Sequence, residues 1–67
     1  MNKEQLKEDY PVGSMVQIIP VTRNNLYGIV VGYEIEPNCG SLWIWIHSSI
    51  GEKQHWPIKY LRTIAKP

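Results

Sequence analysis

The sequence predicts a small all-β domain, five short strands curled into a barrel, and three observations carry that reading. Glycine, proline and Asx/Ser clusters punctuate the chain and cut it into short segments. Within the clearest segment the apolar residues alternate strictly: Leu42, Ile44 and Ile46 point one way, Trp43, Trp45 and His47 the other. A single-turn connector, Pro57-Ile58-Lys59-Tyr60, stands before the last apolar run. In so small a sheet, closure or near-closure hides the strand edges.

Taken in order, residues 1–10 are expected to form a flexible or short helical tail, and residues 11–67 the barrel. Asn2 to Asp9 has mixed charge and one apolar anchor, Leu6, too little to hold an isolated helix. Met15 to Ile19 is the first strand, stopped by Pro20. Thr22-Arg23-Asn24-Asn25 is a loop of turn formers. Tyr27 to Ile35 is the second strand, with Gly28 and Gly32 marking bends or close backbone approach. Glu36 to Gly40 is a loop ending in a left-handed glycine. Ser41 to Ser48 is the third strand, Ser49 to Glu52 a turn, Lys53 to Trp56 the fourth strand, and Leu61 to Ile64 the fifth. Val16, Ile29, Val31, Leu42, Ile44, Ile46 and Leu61 are expected to form most of the core.

Composition narrows the function classes. The chain has 67 residues, 43% hydrophobic and 19% charged, which describes one globular domain. A chain of this size buries only roughly 60% of the surface its unfolded form exposes. Below about 70–80 residues a domain usually needs a disulfide, a metal or a partner subunit. The one cysteine, Cys39, makes no intrachain disulfide, and one Cys with two His falls short of a closed zinc site, so no metal is expected. That leaves a compact idealised core or self-association, and the face carrying Trp43 and Trp45 is expected to be covered by another copy or a partner. The net charge of +1 argues against a protein devoted to long nucleic acid. No stretch approaches the roughly 20 apolar residues of a membrane span. Met1 to Asp9 lacks the apolar run of a signal peptide, and with a free thiol this points to the cytoplasm.

Three candidate surfaces emerge. Trp43, Trp45 and His47 share one face of the third strand: a stacking or interface platform if exposed, the second half of the core if a bent strand buries both faces. Gln54, His55 and Trp56 make an unusual polar-aromatic fourth strand, in which Gln54 offers both donor and acceptor and His55 titrates near neutrality; an ordinary edge strand is the plainer reading. Residues 1–36 carry net charge −2 and residues 37–67 net +3, so Lys53, Lys59 and Arg62 are candidate basic contacts to single-stranded nucleic acid. No acid, base or nucleophile constellation stands out, and no phosphate loop is present: the glycines lie in a strand and open no helix.

The order Gly13-x-x-Val16, Gly28-x-Val30-Val31-Gly32-Tyr33 and Gln54-x-Trp56-Pro57-x-x-x-Leu61-x-x-Ile64 resembles small bacterial SH3-like β-barrel proteins, a skeleton shared by many short phage and plasmid products. The nearest named family is the plasmid-borne, trimethoprim-insensitive type B dihydrofolate reductase, over Gly13 to Ile64. The resemblance implies an SH3-like barrel and, for the reductase, a homotetramer whose central pore binds NADPH and dihydrofolate. Gln54 falls on that family's pore glutamine and Trp56 on its tyrosine. His55 replaces the isoleucine whose backbone meets the nicotinamide, Lys53 replaces a valine, and Ile18 stands where the pore-mouth lysine is expected.

The sequence thus favours a non-enzymatic binding or assembly module, acting on itself or on another protein without a cofactor. A homotetrameric NADPH-dependent reductase is the first alternative, and a nucleic-acid adaptor the second.

Overall fold

The computed structural model describes residues 3–19 and 26–67. Helix α1 (Lys3–Asp9) leads into strands β1 (Met15–Ile18), β2 (Leu26–Ile35), β3 (Leu42–Ser48) and β4 (Lys53–Pro57). A 3₁₀ turn (Ile58–Tyr60) and strand β5 (Leu61–Ala65) complete the order. The strand map follows the punctuation of the sequence closely, including the single turn after Pro57. Gly40, expected to be left-handed, has φ 71°. The loop expected at Thr22 to Asn25 and the stop at Pro20 lie outside the described residues.

All five strands form one antiparallel sheet in the order β4-β3-β2-β1-β5. No ladder joins β4 to β5 among the described residues, so the sheet is open at these two strands. The 3₁₀ turn carries the chain from one edge to the other. Pro57 enters it extended, the Leu61 amide donates to the Ile58 carbonyl, and Ile19 donates to Tyr60 at 2.8 Å.

The core consists of Leu6, Val16, Ile18, Val30, Ile44, Ile46 and Leu61, with Tyr10, Leu26, Tyr33, Leu42, Trp56 and Ile58 packed partly buried against it. Two expected core residues are corrected: Ile29 and Val31 point outward, 38% and 43% exposed, and Val30 takes the core position between them. The run Ile29-Val30-Val31 has no alternation of its own, so its phase is set by its neighbours. Val30 pairs with Ile46, and a bulge leaves Val31 unpaired before Gly32 resumes the ladder opposite Trp45. Gly28 reinforces this phase. A Cβ there would lie 2.8 Å from the Ile46 Cδ1 atom and 3.1 Å from the His47 carbonyl oxygen, so β3 lies close against the bare glycine.

The flexible tail is likewise corrected in favour of the helical one. Leu6 is fully buried. Thr63 Oγ1 donates to the Asp9 carbonyl at 3.2 Å, and Lys66 Nζ donates to the Glu8 carbonyl at 3.3 Å. Tyr10 donates its hydroxyl to the Leu61 carbonyl, and Tyr33 donates to the Tyr10 carbonyl. A seven-residue helix does not stand alone; burying one leucine, roughly 1.5–3 kcal/mol, and these tethers to β2, β5 and Lys66 hold it. Burial raises the pKa of both phenols above 10.0, with the Asp9 charge adding to the rise at Tyr10.

Candidate functional site

The ladder between β3 and β4 decides which candidate side chains meet. Trp43 pairs with Pro57, Trp45 with His55, and His47 with Lys53, so these residues line the outward face. Ile44 pairs with Trp56 and Ile46 with Gln54, which sets Trp56 and Gln54 on the opposite, core-facing side. The six aromatic and polar candidates therefore divide between two faces.

On the outward face the imidazole of His55 is the keystone. It stacks on Trp45, with ring centroids 4.6 Å apart and planes 14° apart, and leans on Trp43 at 4.9 Å and 32°. Glu34, opposite Trp43 on β2, reaches over β3 to bring its carboxylate within 3.2 Å of His55 Nδ1. Gly32, opposite Trp45, presents no side chain to obstruct that reach. The Lys53 ammonium lies 5.2 Å from the Trp45 centroid, within cation–π range. Trp43 and Trp45 are half-buried, beneath and beside these groups, and His47 is exposed. The result is an ordered slab of three stacked rings with one acid and one base at its margin.

On the inner side Trp56 donates its indole N–H to Gln54 Oε1 at 3.0 Å, and the Gln54 amide donates to Glu52 at 3.1 Å. Trp56 meets Tyr60 edge-on. Ile18, the position matched to a pore-mouth lysine, is a buried core residue.

The three basic candidates do not converge. Lys53 sits on β4, Arg62 on β5 at the other edge of the sheet, and Lys59 in the 3₁₀ turn with its ammonium 5.0 Å from the Tyr60 ring. Cys39 is exposed, with Ser41 Oγ 3.1 Å from its sulfur. No group of three His, Cys, Asp or Glu able to hold a metal occurs among the described residues, and no helix among them is long and apolar enough to cross a membrane.

Two concavities border the slab. An open groove of ≈ 540 Å³ runs between Leu42, Trp43, Pro57 and Tyr60. A shallower apolar cleft of ≈ 230 Å³ lies between Met15, Tyr27, Ile29 and His47. Two features of the outward face escape sequence reasoning. Glu34 joins the site only through the cross-strand register, which the bulge at Val31 shifts so that Glu34 pairs with Trp43, and Ile29, with Met15 beside it, faces outward because Val30 pairs with the buried Ile46.

Compared with known proteins, the chain matches no family model, no curated protein and no solved structure.

Proposed function

We propose that the chain is a small SH3-like binding and assembly module that works through the aromatic slab of Trp43, Trp45 and His55, engaging either a second copy or another protein. The observation that carries this reading is the His55 stack on Trp45, fixed by Glu34. Rigid, half-exposed aromatic rings give large contact area at low cost in conformational entropy, and such residues dominate binding energy at protein interfaces. Here the rings are already ordered before any partner arrives. The strand order and the 3₁₀ turn between β4 and β5 support an SH3-like arrangement of strands, in a sheet that stays open between β4 and β5.

Two observations weigh for a binding module over the NADPH-dependent reductase. The Gln54 amide is engaged by Trp56 and Glu52, leaving its acceptor and one donor committed within the chain. Ile18 is in the core and offers no charge to polyanionic ligands. The separation of Lys53, Lys59 and Arg62 weighs against the nucleic-acid adaptor, which needs a continuous basic track.

The test is quantitative co-purification from the native host with wild-type protein and with Trp45→Ala. The reading expects at least one protein recovered with the wild type and depleted at least tenfold with the variant. Identical recoveries, together with NADPH oxidation by dihydrofolate that disappears on Gln54→Ala, would replace it with the reductase.

A further inference from the structure

The sheet ends at β4, and the phase of the β3–β4 ladder shows which backbone groups that edge leaves open. The Ser48 amide donates to the Glu52 carbonyl at 2.7 Å, and Gln54 and Trp56 continue that phase opposite Ile46 and Ile44. Antiparallel ladders alternate with a period of two, so Gln54 and Trp56 turn their N–H and C=O groups to β3, while Lys53 and His55 turn theirs away from it. Among the described residues nothing bonds to these outward groups. Pro57, next in the same phase, has no N–H and ends the run. At the opposite edge α1 leans on β5: Thr63 and Lys66 donate to the Asp9 and Glu8 carbonyls, and Tyr10 donates to Leu61. The short run at Lys53 and His55 is therefore the edge open to an added strand.

We propose that this edge docks an extended, acidic segment of a partner protein, laid antiparallel to β4. Charge selects the occupant. Lys53 and Lys59 stand at the two ends of the edge, both exposed, each near an aromatic ring, and neither meets a carboxylate among the described residues. The acids nearby are engaged: Glu34 with His55, Glu36 with the Asn38 amide and Glu52 with the Gln54 amide. The groove of ≈ 540 Å³ continues from the Pro57 end, and its one charged lining residue is Lys59. The edge thus sets strand-forming hydrogen bonds between two cations, with an apolar groove beside the second. In a segment laid there, the residues facing Lys53, His55 and Pro57 all point to the outward face. An acid facing Lys53 makes a cross-strand ion pair, an apolar residue facing Pro57 meets the groove, and an acid beside it reaches Lys59. Main-chain bonds then supply affinity and the alternate side chains supply selectivity. β4 itself is Lys-Gln-His-Trp-Pro, so the strand of a second copy brings no acid to Lys53.

The inference rests on the protein-binding reading given above and names the chemistry of the partner. The probe is the peptide acetyl-Glu-Leu-Thr-Val-Thr-Glu-amide, compared with acetyl-Lys-Leu-Thr-Val-Thr-Lys-amide, each titrated into the full chain and followed by NMR. The acidic peptide should bind at least about tenfold more tightly than the basic one. It should slow hydrogen exchange at the Lys53 and His55 amides and leave Gln54 and Trp56, already in the ladder, little changed. Lys53→Glu combined with Lys59→Glu, both at exposed positions, should erase the preference. Equal binding of the two peptides, binding of neither, or no protection at Lys53 and His55 overturns the inference. Protection of the same amides on concentrating the protein without peptide gives the edge to a second copy and overturns it too. A recovered partner that is lost in Trp45→Ala but binds the double lysine variant like wild type overturns the inference and leaves the aromatic reading standing. The acidic preference and its amide protection, with a partner indifferent to Trp45→Ala, support the edge and sink the aromatic reading alone.

Discussion

His55 lies almost flat on Trp45, their ring centroids 4.6 Å apart, and the contact joins an edge strand to the strand beside it. The stack orders the slab and ties β4 to the sheet beyond its backbone ladder. A double-mutant cycle of His55→Ala and Trp45→Ala should therefore return a coupling of about 0.5–1.5 kcal/mol, the range for aromatic pairs beyond the area they bury. Glu34→Gln should change stability much less, because both partners of that pair are nearly half exposed and solvent screens them. Urea denaturation of the four proteins reads the coupling; a value near zero would mean that the rings touch without holding one another.

Leu6→Ala should destabilise the domain by about 2–5 kcal/mol, the cost of emptying a fully buried leucine site. In a protein with so few core residues this is a large share of the whole, and the thermal transition should fall accordingly. A loss below about 0.5 kcal/mol would show a tail that is not docked.

The two glycines of β2 should respond differently to alanine. At Gly28 the new methyl meets Ile46 Cδ1 at 2.8 Å and the His47 carbonyl oxygen at 3.1 Å, so overpacking of about 1–3 kcal/mol is expected. At Gly32 the nearest atom is the Trp45 Cβ at 4.0 Å, an ordinary contact, and alanine should be tolerated. Equal losses at both sites would contradict the register between β2 and β3.

High pH should loosen the attachment of α1. The folded-state pKa values of Tyr10 and Tyr33 lie above 10.0, so the unfolded chain gives up these protons first. Their contribution is intact below pH 10 and is lost as pH rises from there through the folded-state values. Urea midpoints measured at pH 9 and pH 11 should fall, and Tyr33→Phe should reduce the part of the fall due to that phenol. An unchanged pH slope in Tyr33→Phe would count against it.

The strand map was legible because its signals are local. Gly40 and Gly51 close the turns, Pro57 precedes the 3₁₀ turn, and Leu42-x-Ile44-x-Ile46 states its own phase. What stayed hidden depends on contacts distant in the chain. Three successive aliphatics, Ile29 to Val31, do not say which of them is buried; the pairing of Val30 with Ile46 decides it. Leu6 looks solitary in the sequence, and only its fit against the core with the Thr63 and Lys66 tethers makes it an anchor. On β4, alternation already separates His55 from Gln54 and Trp56, yet the meeting of His55 with Glu34 needs two ladders to be in register.

The measurement that tests the central claim most directly is the dissociation constant of the recovered partner, be it another protein or a second copy, for wild type, Trp45→Ala and Glu8→Ala. Glu8 is exposed on α1, away from the slab, and reports non-specific effects. The account predicts that Trp45→Ala weakens binding at least about thirtyfold, the 2 kcal/mol or more expected of an interface hot spot, while Glu8→Ala changes it less than about threefold, within the small effects expected of residues outside hot spots. Equal affinities for wild type and Trp45→Ala, in a variant that remains folded, would contradict the claim that the aromatic slab is the working surface.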